Sequence, residues 1–176
     1  MEKARVQVAG LLNCQPEEII FTSGGTESNN HAIKGTAYAR AGIGKHIITS
    51  AVEHPAVIEV GHWLETQGFR VTVLPVDEVG RVSPASLEQA ITPETLLVTV
   101  MHANNETGVI FPVADLARIA KETDPSIVFH TDAVQIVGKV PLNLSKSPIN
   151  LLSLSGHKLH APKGVGVLYV KKGTRM

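Results

Sequence analysis

The sequence predicts an α/β fold: a mostly parallel sheet with helices on both faces, the three-layer architecture of a single domain. Three observations carry this. Short β-branched apolar runs alternate with amphipathic helical stretches, the order expected when parallel strands are joined by crossover helices. Seven such runs occur, each bounded by turn residues. Glycines, amides, histidines and acids gather directly after most of the runs, at the strand ends where open α/β sheets bind ligands.

The elements follow in chain order. The opening MEKARVQVAGLLN is a charged amphipathic pattern that reads as a helix with no cap before it. EIIFTS (18–23) is the first strand, and TESNNHAIKGTAYARAG is a helix entered at Thr26, with that threonine as N-cap. HIITS (46–50) is the second strand. HPAVIEVGHWLETQG is a helix with Pro55 in its first turn and Gly68 at its stop. RVTVLPV (70–76) is the third strand, and SPASLEQAI is a helix entered through Ser-Pro. TLLVTVMH (95–102) is the fourth strand, before PVADLARIAKET with its i, i+3, i+4 apolar spacing. SIVFHTD (126–132), INLLSLS (149–155) and GVGVLYVK (164–171) complete the sheet. No short internal repeat or low-complexity tract interrupts the pattern.

A chain of 176 residues suits one domain with a sizeable core. Hydrophobic residues make up 43%, charged residues 18%, and the formal net charge is zero. That balance leaves no electrostatic footprint for nucleic acid or an anionic membrane, so an anionic ligand must be held by a local site. No apolar run approaches the ~20 residues of a membrane span, and the first residues lack the pattern of a signal peptide. Cys14 is the only cysteine, which excludes an intrachain disulfide and a cysteine-based metal cluster and favours a reducing, cytoplasmic setting. Both ends are abrupt, so the sequence reads as part of a longer protein.

Five stretches carry candidate chemistry, and each has a plain structural reading beside it. FTSGGTES sets Gly25 and Thr26 between a strand and a helix. Backbone N–H groups there would cradle a phosphate, or the stretch is a tight turn with a threonine cap; taken alone, the turn is the stronger reading. VEHPAV puts His54 at a strand end, as a ring-stacking or proton-shuttling histidine or as an ordinary helix-entry residue. HTDAVQ ends a buried strand on Asp132, where an unpaired carboxylate is expensive; it pairs with a protonated ring nitrogen or is held by backbone N–H groups. Gln135, three residues on, either donates to a phenolate oxygen or lies on the surface. MHANNETG offers two amides, Asn104 and Asn105, one of which would bind a cofactor oxygen, against an asparagine-built turn, which is the stronger reading taken alone. SGHKLHAP is the most specific stretch. A nucleophilic Lys158 needs a partly desolvated site to lower its pKa, and Ser155 and His157 would bind the phosphate held by the first loop. A zinc site built on His157 and His160 matches no strong zinc spacing, so no metal is expected. Each stretch is weak alone. Together they supply the parts that pyridoxal 5'-phosphate chemistry requires: a phosphate cradle, an acid for the pyridine nitrogen, an amide near the phenolate, a stacking histidine and a Schiff-base lysine.

On FTSGGTESNN, VEHPAV, MHANNETG, FHTDAVQIVGKVP and LSLSGHKLHAPKGVGVLYV, the chain resembles the cysteine desulfurases of the nitrogen-fixation and iron–sulfur-assembly type. These are class V, fold-type I pyridoxal phosphate enzymes. The matching residues run through nearly the whole chain in family order. The resemblance implies a seven-stranded sheet whose last strand is antiparallel, and makes residues 1–176 the cofactor-binding large domain, without its N-terminal segment or the small domain. It implies that Lys158 forms the Schiff base, that Asp132 pairs with the pyridine nitrogen, and that Gln135 bonds the phenolic oxygen. His54 would stack on the ring and take part in proton transfer. Gly25, Thr26, Ser155 and His157 would hold the phosphate, and Asn105 would lie over the cofactor.

The activity implied is conversion of L-cysteine to L-alanine, with sulfur passed to an enzyme cysteine and on to an iron–sulfur scaffold or other acceptor protein. A homodimer is implied for the parent. Cys14 lies in the first helix–strand connection and is not assigned the sulfur-accepting role. Two alternatives stay open: a selenocysteine lyase or other class V lyase or aminotransferase, and a catalytically silent remnant that only folds or binds. The isolated 176 residues are expected to be inactive as a desulfurase.

Overall fold

The computed structural model describes residues 1–176. Helices α1 (Glu2–Leu12), α2 (Gly25–Arg40), α3 (Pro55–Thr66), α4 (Pro84–Ala90) and α5 (Val113–Thr123) surround one sheet. Its strands are β1 (Ile19–Thr22), β2 (His46–Ser50), β3 (Arg70–Leu74), β4 (Thr95–Thr99), β5 (Val128–Asp132), β6 (Leu151–Ser155) and β7 (Gly166–Val170). All seven predicted strands exist, trimmed by a residue or more at one or both ends except for β2. The spatial order is β1-β7-β6-β5-β4-β2-β3. Strands β2 to β6 pair in parallel, while β7 runs antiparallel to both β6 and β1.

The three layers follow from strand periodicity. Successive strand side chains point to opposite faces. Ile47, Leu97, Val128, Leu151 and Leu168 face one layer and pack with Ala32, Ile33 and Ala37 of α2 and Val57, Val60 and Leu64 of α3. Their immediate neighbours Ile48, Val98, Phe129, Leu152 and Tyr169 face the other. There they meet Ala9 and Leu12 of α1, Leu87 of α4 and Leu116, Ala117 and Ala120 of α5. Strands β2, β4, β5 and β6 are buried along their whole length, which is why they read as apolar runs rather than as alternation. No helix is long and apolar enough to cross a membrane.

Two helix entries differ in kind. His54 caps α3: the Ala56 N–H donates to its Nδ1 at 3.1 Å, and Pro55 follows as the first helical residue. The predicted threonine cap of α2 is not formed. Gly24 is the cap residue, the helix begins at Gly25, and Thr26 already lies in the first turn. The hydroxyls of Thr22 and Ser28 bond each other at 2.7 Å, and both lie within hydrogen-bond reach of the Gly24 carbonyl, which accepts from the one not donating to its neighbour. The turn is thus built from residues flanking Thr26, and no side chain caps the first N–H groups of α2.

Candidate active site

Strand direction decides which loops meet. Because β7 is antiparallel to both of its neighbours, β1 points the same way as β6. The carboxyl ends of β1, β2, β4, β5 and β6 therefore share one edge of the sheet, the edge where such sheets bind ligands. Strand β3 lies at the far side of the sheet and β7 ends on the opposite edge, so neither contributes.

At the shared edge is a cleft of about 280 Å³ lined by all nine residues singled out in the sequence: Gly25, Thr26, His54, Asn105, Asp132, Gln135, Ser155, His157 and Lys158. Its floor is buried and polar. Asp132, at the end of β5, is 6% exposed, and each of its oxygens has a donor. The Val134 N–H reaches Oδ1 at 3.0 Å and the Asn29 Nδ2 reaches Oδ2 at 2.7 Å. Burial pushes the Asp132 carboxyl up from its usual range, while those two donors and the charge of His54 pull it back. None of the chain's salt bridges involves Asp132 or Lys158. An acid held in place but engaged in no salt bridge fits a ligand that brings a positive group.

Ser155, at the end of β6, is buried as well, and its hydroxyl lies 2.7 Å from His157 Nδ1. Directly across stands the uncapped start of α2. Its first N–H groups carry the positive end of the helix dipole, the setting that holds phosphate oxygens. Close packing fixes this corner. A Cβ on Gly25 would stand 2.8 Å from Val134 Cγ2, and one on Gly166 would stand 2.6 Å from the Gly24 backbone. These glycines admit near approach of the chain to itself.

The rim is open. His54, Asn105, His157 and Lys158 are exposed. Since Nδ1 of His54 accepts the Ala56 N–H, the neutral ring carries its proton on Nε2. The two residues of the asparagine pair face different surroundings. Asn104 builds the turn, its Oδ1 accepting from the Glu106 and Thr107 N–H groups and its Nδ2 donating to the Val52 carbonyl. Asn105 is the one that reaches the cleft. Lys158 lies in the short 3₁₀ turn Gly156–Leu159. The expected desolvation of this lysine is not seen, because the turn stands on the open rim.

Asn29 was not singled out in the sequence. Its signal was there: an amide, 1% exposed, on the α2 face that otherwise buries Ala32, Ile33 and Ala37. A polar residue in a buried stripe asks for a partner, and the partner is Asp132.

The class V aminotransferase pattern matches residues 1–176. The chain belongs to the class V aminotransferase family. The cofactor of this family is pyridoxal phosphate, and the cleft fits it: a caged acid in no salt bridge, an uncapped helix start, and a lysine. Among family members, the chain is 54% identical over 176 residues to "Cysteine desulfurase IscS" of Dictyoglomus turgidum, covering 100% of this chain and 44% of that protein. It is 55% identical over 175 residues to "Cysteine desulfurase 2" of Trichormus variabilis, covering 99% and 43%. Of solved structures, a "NifS-like protein" superposes with a TM-score of 0.97 at 44% identity, over 99% of this chain and 48% of that one. "SspA in complex with cysteine" gives 0.94 at 43% identity, over 99% and 50%. The chain thus spans less than half the length of these curated relatives. The likeness includes the antiparallel β7, which periodicity alone did not indicate.

Proposed function

We propose that these residues are the cofactor-binding large domain of a cysteine desulfurase, which converts L-cysteine to L-alanine and passes the sulfur to an enzyme cysteine. The observation that supports it most is the caged Asp132, in no salt bridge, lying in one cleft with Lys158 and the start of α2. Bound pyridoxal phosphate would act as an electron sink for the substrate carbon, and this chain's residues would do the rest. The α2 N–H groups at Gly25 and Thr26, with Ser155 and His157, would hold the phosphate. Asp132 would keep the pyridine nitrogen protonated. Gln135 and Asn105 would bind oxygen atoms of the cofactor or substrate, and His54 would stack on the ring. The Lys158 amine would hold the cofactor as a Schiff base and would serve as the base for the α-proton of cysteine.

The carbon–sulfur bond then breaks as a thiolate takes the sulfur, and the former sulfur-bearing carbon gains a proton to give alanine. Cys14 is not that thiolate. It lies between α1 and β1 outside the cleft, and burial, with Glu18 nearby, pushes its thiol up to about 11. The acceptor thiol in this reading lies outside these 176 residues. The same reading carries a homodimeric, cytoplasmic parent that supplies sulfur for iron–sulfur cluster assembly.

The test is chemical trapping. The full-length protein, loaded with pyridoxal phosphate and reduced with borohydride, should carry a pyridoxyl group on the peptide containing Lys158 and should release alanine from cysteine before reduction. An adduct on another lysine, or none, would sink the assignment.

A further inference from the structure

Glu53 precedes His54 in the turn between β2 and α3, and the mechanism above makes no use of it. It is 5% exposed. Its Oε1 accepts two hydrogen bonds, from the Ser50 hydroxyl at 2.5 Å and from the Met101 N–H at 2.8 Å. Its Oε2 is buried with no hydrogen-bond partner. The bond to Met101 ties the His54 turn to the segment after β4, the segment that ends in Asn105. Asn104 makes a second tie between the same two segments, donating to the Val52 carbonyl at 3.1 Å. Met101 itself lines the cleft.

The surroundings argue against a charge here. β2 presents only the Ser50 hydroxyl, and the segment after β4 only the Met101 amide. The one charged group acting on Glu53 is Asp132, which has the same sign. A carboxylate spreads its charge over both oxygens and asks for donors on both, whereas a carboxylic acid accepts on one oxygen and carries its proton on the other. The observed bonding, two donors on Oε1 and none on the buried Oε2, disfavours the carboxylate and leaves Oε2 free to carry a proton. Asp132 shows the opposite pattern, with one donor on each oxygen. The charge of Asp132 adds a smaller push in the same direction as burial, against ionising Glu53. The bonding assigns the charge to Asp132 and the proton to Glu53. In agreement, burial pushes the Glu53 carboxyl from its ordinary 4.5 up to about 8.

We propose that Glu53 is a positioning residue that works as a neutral acid. It ties the His54 turn to the Asn105 segment and leaves Asp132 as the only negative charge under the cofactor. The site role rests on the functional reading above, but the protonation does not, so the two are tested apart.

The first measurement uses full-length protein freed of cofactor: denaturant unfolding of wild type and Glu53→Gln from pH 5 to pH 8. The unfolded acid loses its proton near 4.5 while the folded one keeps it, so wild-type stability falls through this window. The amide does not titrate. The folding constant of E53Q relative to wild type should therefore grow at least about tenfold from pH 5 to pH 8. A flat ratio, or an E53Q protein that fails to fold at pH 8, would overturn the proposal. The second measurement is cofactor affinity by fluorescence titration. E53Q keeps the Oε1 acceptor and should bind within about threefold of wild type, while Glu53→Ala, which cuts the tie, should weaken binding about tenfold or more. Equal losses in both variants would also overturn it. A wild type that binds no cofactor would defeat the functional reading and the site role, while the pH series would still decide the proton.

Discussion

Asp132 and Asn29 show how a single buried contact sets up chemistry. The Asn29 amide fills one oxygen of Asp132 and a backbone N–H fills the other, so the carboxylate cannot turn. Deleting one donor to a buried, charged acceptor costs about 1–3 kcal/mol. Asn29→Ala should therefore raise the Asp132 pKa further and weaken pyridoxal phosphate binding roughly tenfold, read by titration at pH 7. Unchanged affinity would mean that the backbone N–H alone suffices. The residue types at the cleft were legible in the sequence because each closes an apolar run. The partner of Asn29 was not, since it stands 103 positions away.

At the scale of elements, the site hangs on how β1 and β7 meet. Gly166 opens β7 and lies against the Gly24 backbone at the turn into α2. Here a side chain collides with main chain, which has no rotamer to give. Gly166→Ala should destabilise the protein by about 1–3 kcal/mol and shift the start of α2, measured by denaturant unfolding and cofactor titration together. Loss of stability with intact cofactor affinity would separate the packing role from the site. His130 shows a second element-scale device. Its ring bridges Thr99 of β4 and Ser153 of β6 at 2.7 and 2.9 Å, and burial lowers its pKa to about 3. The neutral ring binds three parallel strands just ahead of Asp132.

For the whole molecule, the cleft belongs to five strand ends, so a ligand bound there should hold the sheet edge together. Anything that binds the folded state alone stabilises it by about 2.7 kcal/mol at a hundredfold excess over its dissociation constant. Adding pyridoxal phosphate to the cofactor-free full-length protein should raise its melting temperature by several degrees. The gain should shrink in Asp132→Asn, which loses the charge proposed to pair with the pyridine nitrogen. An equal shift in both proteins would remove Asp132 from the site.

The sequence by itself determined the seven strands, the layer order and the residue types at the strand ends. Those depend on local periodicity and turn chemistry, which a short window contains. It also carried the family motifs, since these are contiguous. Tertiary structure decided the rest. The reversal of β7 leaves no mark on a buried five-residue run, yet it brings the Gly25 turn to the same edge as Lys158. The N-cap of α2 fell to Gly24 because Thr22 and Ser28 meet there, not because Thr26 is a poor cap. Which carboxyl keeps its proton, Glu53 or Asp132, follows from donors that come from different strands and helices. Burial and partnership are sums over the whole fold, and no stretch of sequence contains them.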